Sequence, residues 1–277
     1  MSNNSLPSIG YALTTACAIV LLHVVMANIS PIFLVMMSAL CAVVFFHVIH
    51  RRSLVKLYKQ VYAALLPVLW INVLIAAQWL GTFYAAKTAL PFQFLIIAFL
   101  VPVLLSNLAL SRKQTLHRFY ALLNVVMVMA MLLTMRTWQG CVLSLVVGVL
   151  SYVYRKYTHD LCHDGRFSKM DILCVRNTGL LIVSAILFFC HAHLNLAALP
   201  WWPWWIIIPV ITFILPIYLN QSGIQQMGPE HHSIVVSTTP MLALVISLFM
   251  GIAHLHFTFI VLSAVVALFL VVQTIWR

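Results

Sequence analysis

The sequence predicts an all-α integral membrane protein with ten transmembrane helices in two inverted five-helix repeats. Three observations carry that expectation: the scarcity of charge, the length of the apolar runs and a self-similarity at half the chain length. Of 277 residues, 64% are hydrophobic and 7% charged, whereas about a quarter of a soluble domain is charged. A membrane-crossing helix takes roughly 20 apolar residues, so ten spans with short loops nearly exhaust the chain. No room is left for a soluble domain.

The ten expected spans run over 8–27, 31–49, 61–83, 89–110, 117–135, 139–157, 170–190, 203–222, 231–251 and 255–275. Helix breakers separate several of them. Ser30-Pro31 follows the first, Pro91 opens the fourth, Pro200 and Pro203 precede the eighth, and Gly228-Pro229 precedes the ninth. Pro209 and Pro216 lie inside the eighth and should bend it. Trp201, Trp202, Trp204 and Trp205 suit an interfacial aromatic belt. The N-terminus MSNNSLPS carries no Lys or Arg, unlike the basic start of a secretory signal, so the first span is expected to be retained. The six cysteines show no CxxC spacing and read as small buried apolar residues rather than a disulfide or metal framework.

The net charge of +11 could point to nucleic acid, but the basic residues cluster at span ends. Arg51, Arg52, Lys56 and Lys59 follow the second span. Arg112, Lys113 and Arg118 surround the fourth-to-fifth connection, and Arg155, Lys156, Arg166 and Lys169 are assigned to the loop after the sixth. With ten spans these and Arg277 fall on one side, leaving Lys87 and Arg136 opposite. The positive-inside rule then places both termini in the cytoplasm, with a bacterial inner membrane as the expected location and no nucleic-acid partner.

The self-similarity appears when the chain is shifted by 138 residues. Pro91 then falls on Pro229, Pro102 on Pro240, Leu104 on Leu242 and Gly10 on Gly148. Residues 1–138 and 139–277 become two repeats of five spans. Five is odd, so the second half enters the membrane from the opposite face. Inverted repeats of this kind place a substrate site between the halves, near mid-membrane.

The proline-bearing stretch FYAAKTALPFQFLIIAFLVPVLLSNLALSRKQTLHR, with Pro102 and Pro240 at mid-helix in the fourth and ninth spans, resembles the EamA-type branch of the drug/metabolite transporter superfamily. The resemblance covers essentially the whole chain. It implies ten spans in two five-helix repeats and a binding face from spans 1, 3, 4, 6, 8 and 9. The sequence departs from that family's pattern at three places. Ser111-Arg112 and the stretch from Gly251 to His256 lack the family's acid, and Ser38 stands where the family often has Arg. At the shifted position the residue is Arg176.

Charge within a membrane is costly and often marks function. Arg176, in the seventh span, either holds a substrate carboxylate or phosphate, or snorkels to the interface or pairs with Asp171. Glu230 either caps the ninth helix or carries a coupling proton, with His231 and His232 beside it. Tyr218, Gln221 and Gln225 share one helical face of the eighth span. Their shifted counterparts in the third span are Leu80, Phe83 and Lys87, bordered by Trp79 and Tyr84. Rings with a few amides and a cation suit a pocket for a small polar molecule; the same residues also suit plain helix packing. Asn72, Gln93, His23, Asn28 and Tyr152 are weaker candidates of the same kind. If the face lines a pocket, Gln225→Ala and Phe83→Ala should abolish binding and spare the fold.

The run from His159 to Asp164 and the pairs His191/His193, His231/His232 and His254/His256 contain metal-ligand types, but without finger-like spacing. No metal or other cofactor is expected. No phosphate-binding loop, HExxH, GxSxG or dinucleotide motif appears, which disfavours an ATP-driven pump or an ordinary hydrolase. The expected function is secondary-active transport, not enzymatic, of a small anionic or zwitterionic, amino-acid-like metabolite by alternating access. The partners are that substrate and the lipid bilayer, and a homodimer is compatible with the reading. The alternatives are a lipid head-group flippase or membrane enzyme, and a non-transporting assembly protein.

Overall fold

The computed structural model describes residues 5–27, 29–50, 54–88, 91–111, 115–134, 137–191 and 204–251, with residues 265 and 269. The described residues contain helices and short connections, and no strand. The helices are α1 (Leu6–Val25), α2 (Pro31–Ile49), α3 (Leu54–Ala63), α4 (Leu65–Thr88), α5 (Pro91–Leu110), α6 (Thr115–Thr134), α7 (Trp138–His163), α8 (Lys169–Val175), α9 (Thr178–His191), α10 (Trp204–Pro209), α11 (Leu215–Met227), α12 (Pro229–Val236) and α13 (Thr239–Phe249). A π-helical turn, Val210–Ile214, joins α10 to α11.

Eight of these stretches are long and apolar enough to cross a membrane: α1, α2, α4, Gln93–Leu110, Leu116–Leu133, Lys169–Cys190, Trp204–Met227 and Pro229–Phe249. The count among the described residues is therefore eight rather than ten. The expected sixth span is the 26-residue α7, whose last third carries Arg155, Lys156 and Asp160 and is less apolar. Apart from residues 265 and 269, the expected tenth span lies outside the described residues, as do His193, His254, His256 and Arg277. So do Asn28, Arg51, Arg52, Arg112, Lys113, Arg136, Pro200, Trp201, Trp202 and Pro203, and the side chain of His191.

Helix starts follow local chemistry. Proline opens α1, α2, α11, α12 and α13 within their first two positions, where its missing N–H costs nothing. The Thr137 hydroxyl accepts from Gly140 N at 3.2 Å to start α7. Ser168 and Asp171 form a capping box at α8, satisfying two free N–H groups. Gly228 turns between α11 and α12 at φ +78°, a left-handed conformation that favours glycine.

Three spans are interrupted. The seventh breaks between α8 and α9 at Arg176-Asn177, and the ninth between α12 and α13 at Ser237-Thr238. The eighth passes through a π turn between Pro209 and Pro216. Lys56 and Lys59 sit on the helix α3, not in an open loop. Arg155 and Lys156 also lie on a helix, since α7 continues to His163. Large apolar side chains such as Val48, Leu66, Leu133 and Phe189 are turned outward, a surface suited to lipid rather than water.

Candidate functional site

Along α7 runs a stripe of inward residues at helical spacing: Ser144, Val147, Gly148, Ser151, Tyr154, Arg155 and Thr158. This stripe delivers Arg155 into the bundle, where it is 2% exposed. Its Nη1 donates to the Ser233 hydroxyl of α12 at 3.0 Å, and its guanidinium lies 5.8 Å from the Phe99 ring centre on α5.

The break between α8 and α9 delivers the second cation. Arg176 is 1% exposed. Its Nη1 donates to the Tyr154 hydroxyl at 2.5 Å, and the guanidinium sits 4.5 Å from the centre of the same ring. Tyr154 in turn donates to Gln221 Oε1 at 2.7 Å. The Tyr11 phenol of α1 faces both arginines.

The two arginines share a deficit. Buried charges are ordinarily paired, yet among the described residues neither arginine has a carboxylate partner. The chain holds four acids in all, and three are engaged elsewhere. Asp171 lies 2.8 Å from His50 Nε2, Asp164 faces Arg166 and Asp160 faces His159. Glu230 forms no ion pair with either arginine and stands in the first turn of α12. The pairing of Arg176 with Asp171 weighed from sequence does not occur, because Asp171 is turned to His50 and to the α8 cap. The Nε atoms of both arginines and the Nε2 of Gln221 are buried without an acceptor. The cluster thus offers buried donors and positive charge with no internal anion to take them.

The other expected residues divide between this cluster and ordinary packing. The face of Tyr218, Gln221 and Gln225 turns toward α7 and α8. Lys169 donates to the Tyr218 hydroxyl at 3.3 Å and lies 4.5 Å from its ring centre, while Gln225 Nε2 contacts Cys162 Sγ at 2.8 Å. Trp79 stacks 4.4 Å from Phe213 of the π turn, and its indole N–H is buried without a partner. Phe83 is wholly enclosed in the main hydrophobic cluster. Asn72 ties α4 to the break in the seventh span by accepting from Gly179 N at 2.7 Å. His23 Nδ1 lies 2.9 Å from Ala86 O.

Lys87 is exposed, Gln93 is buried and Tyr152 is partly buried. Among the described residues, none of these three hydrogen-bonds to the cluster. Tyr84 lines a separate lateral cavity of about 570 Å³ with Gly81, Trp138 and Gln139. His231 is exposed and Glu230 partly so. The His159 and His163 rings stack at 6.1 Å, and among the described residues no three metal-ligating side chains converge.

Sequence reasoning missed Arg155, Tyr154 and Tyr11. The signal was available: the spacing of small and polar residues along α7 continues past the apolar run and puts residue 155 on the inward face.

No family model and no curated protein matches the chain. Among solved structures, one described as "Crystal structure of protein" matches 99% of this chain and 96% of its own, with TM-score 0.67 and 14% identity. At that identity the likeness concerns architecture alone: this chain shares the fold of that helical structure over nearly its whole length.

Proposed function

We propose that the chain is a secondary permease for a small anionic or zwitterionic metabolite, in the ten-span, inverted-repeat architecture of the EamA-type transporters it resembles. The observation that carries the reading is the pair of buried arginines without any carboxylate partner. An uncompensated buried cation costs several kcal/mol, and a bound carboxylate or phosphate would supply the missing charge and acceptors. The interrupted seventh and ninth spans add support, because broken helices border substrate sites in many transporters.

The test uses purified protein in proteoliposomes preloaded with unlabelled L-glutamate, L-alanine, succinate or glycerol 3-phosphate. Uptake of the same labelled solute is followed as counterflow. Counterflow with one of the four, lost in Arg155→Gln and Arg176→Gln, is the expected result. Its absence with all four refutes the reading.

A further inference from the structure

Behind the arginine cluster lies a histidine whose surroundings are built for two protonation states. His232 on α12 is wholly buried. Its Nε2 is 2.8 Å from Asn220 Oδ1 on α11, and its Nδ1 is 2.9 Å from the Ser8 hydroxyl on α1. The Ser8 hydroxyl has a second neighbour, Met227 Sδ, at 3.3 Å. A carbonyl oxygen only accepts, so Nε2 carries a hydrogen in both states.

With neutral imidazole, Ser8 donates its O–H to Nδ1. When Nδ1 binds a proton, the direction reverses: Nδ1–H donates to Ser8 Oγ, and the Ser8 O–H turns to Met227 Sδ. Neither state leaves a buried polar atom of the ring unsatisfied, a condition that buried polar groups must ordinarily meet. Gly223 keeps the arrangement close-packed. A Cβ there would come within 2.5 Å of both His232 Nδ1 and Ser8 Oγ.

The groups around the ring identify what controls the proton. From α1 come Ser8 and Tyr11, whose ring centre is 5.6 Å away. From α11 come Asn220, Met227 and Gly223, all uncharged. On α12 itself, Glu230 and His231 stand at the helix start, and Glu230 Oε2 and His159 Nε2 border Gly228. From α7 comes Arg155, whose positive charge acts on the ring and which donates to Ser233, the residue next to His232. Burial of the ring opposes a positive charge on it, and while Arg155 is uncompensated its charge adds to that opposition. An anion seated on Arg155 removes the second of these.

We infer that the chain moves its anion together with a proton, and that His232 is the proton's binding site, coupled to the anion through Arg155 and switched by the Ser8 hydroxyl between Nδ1 and Met227. The inference rests on the permease reading above and deepens it. The proton comes from and returns to water, its bond to Nδ1 forming as the anion binds and breaking as the anion leaves.

The experiment uses the same proteoliposomes and the solute, of the four named, that gives counterflow. With the membrane potential clamped at zero and the interior one pH unit more alkaline, one proton per solute molecule accumulates the solute about tenfold, since a tenfold ratio corresponds to about 1.4 kcal/mol. Wild type should reach that ratio and acidify the lumen. His232→Gln and, separately, Ser8→Ala should sustain counterflow yet lose the pH-driven accumulation. Counterflow by wild type without pH-driven accumulation overturns the coupling and leaves the permease intact. Accumulation that persists in folded His232→Gln overturns the role of His232. Should His232→Gln fail to fold, Ser8→Ala decides: unaltered accumulation overturns the switch.

Discussion

Arg176→Met separates a residue kept for function from one kept for stability. Methionine keeps an unbranched apolar stem and removes the guanidinium with its charge and its donors. The native guanidinium makes one hydrogen bond, to Tyr154, and one ring contact with the same residue. A hydrogen bond to a charged group contributes about 1.5–3 kcal/mol and a desolvated cation–π contact about 2 kcal/mol. Against these stands the burial of a full charge with Nε unsatisfied, which costs several kcal/mol. Tyr154 keeps its bond to Gln221 when the arginine is gone, so no new orphan is created. Ligand-free Arg176→Met should therefore be as stable as wild type or more stable, by about 1–4 kcal/mol, as with other buried ionic groups replaced by apolar ones. Thermal unfolding in detergent reads the stability, and counterflow, which should vanish, reads the function. A melting point several degrees below wild type would show that Arg176 stabilises the ligand-free bundle, and would refute the argument that its charge awaits a ligand.

Other substitutions address other parts of the fold. Gly223→Ala forces a methyl group against the His232 ring and Ser8 and should cost about 1–3 kcal/mol, as overpacking does; an unchanged melting point would contradict the close approach. Phe83→Ala should lower stability by about 3–5 kcal/mol, because the ring is wholly buried in the core; normal unfolding with lost binding would instead return Phe83 to a pocket wall. Asp171→Ala removes the carboxylate half of the α8 capping box and leaves His50 without this partner, for a loss of about 3–5 kcal/mol, checked by thermal unfolding. Gln225→Ala removes a contact to Cys162 only and should leave both the fold and counterflow near wild type.

The spans were legible because bilayer length and apolarity are written residue by residue. Prolines marked the helix starts at Pro31, Pro91 and Pro229, and Pro209 and Pro216 flank the π turn of the eighth span. The site was only partly legible. Arg176 and Gln221 stood out as polar residues in apolar runs, and both join the cluster. Arg155 did not, because a charge near the end of an apolar run looks like a loop residue until the helical phase is followed through it. His232 was not told apart from its exposed neighbour His231, since a dipeptide of identical residues shows no sign of which one faces inward. Phe83 and Lys87 were grouped as the shifted counterparts of the eighth-span face, with Tyr84 added as their neighbour. Three-dimensional phase sends one to the core, one to the exterior and one to a lateral cavity.

The interruptions in the seventh and ninth spans leave α8 and α12 as pieces of seven and eight residues, roughly two turns each. Helices that short do not hold themselves in water and depend on their neighbours for order. Both pieces end where the site begins, one at Arg176 and the other four residues past Ser233. Backbone amides of α8 and α12 should therefore exchange with deuterium well before those of α4 or α7, whose long ladders open only with larger parts of the molecule. A ligand that ties these two short pieces to α7 would slow that exchange, so the order of the binding region is set as much by its occupant as by the chain.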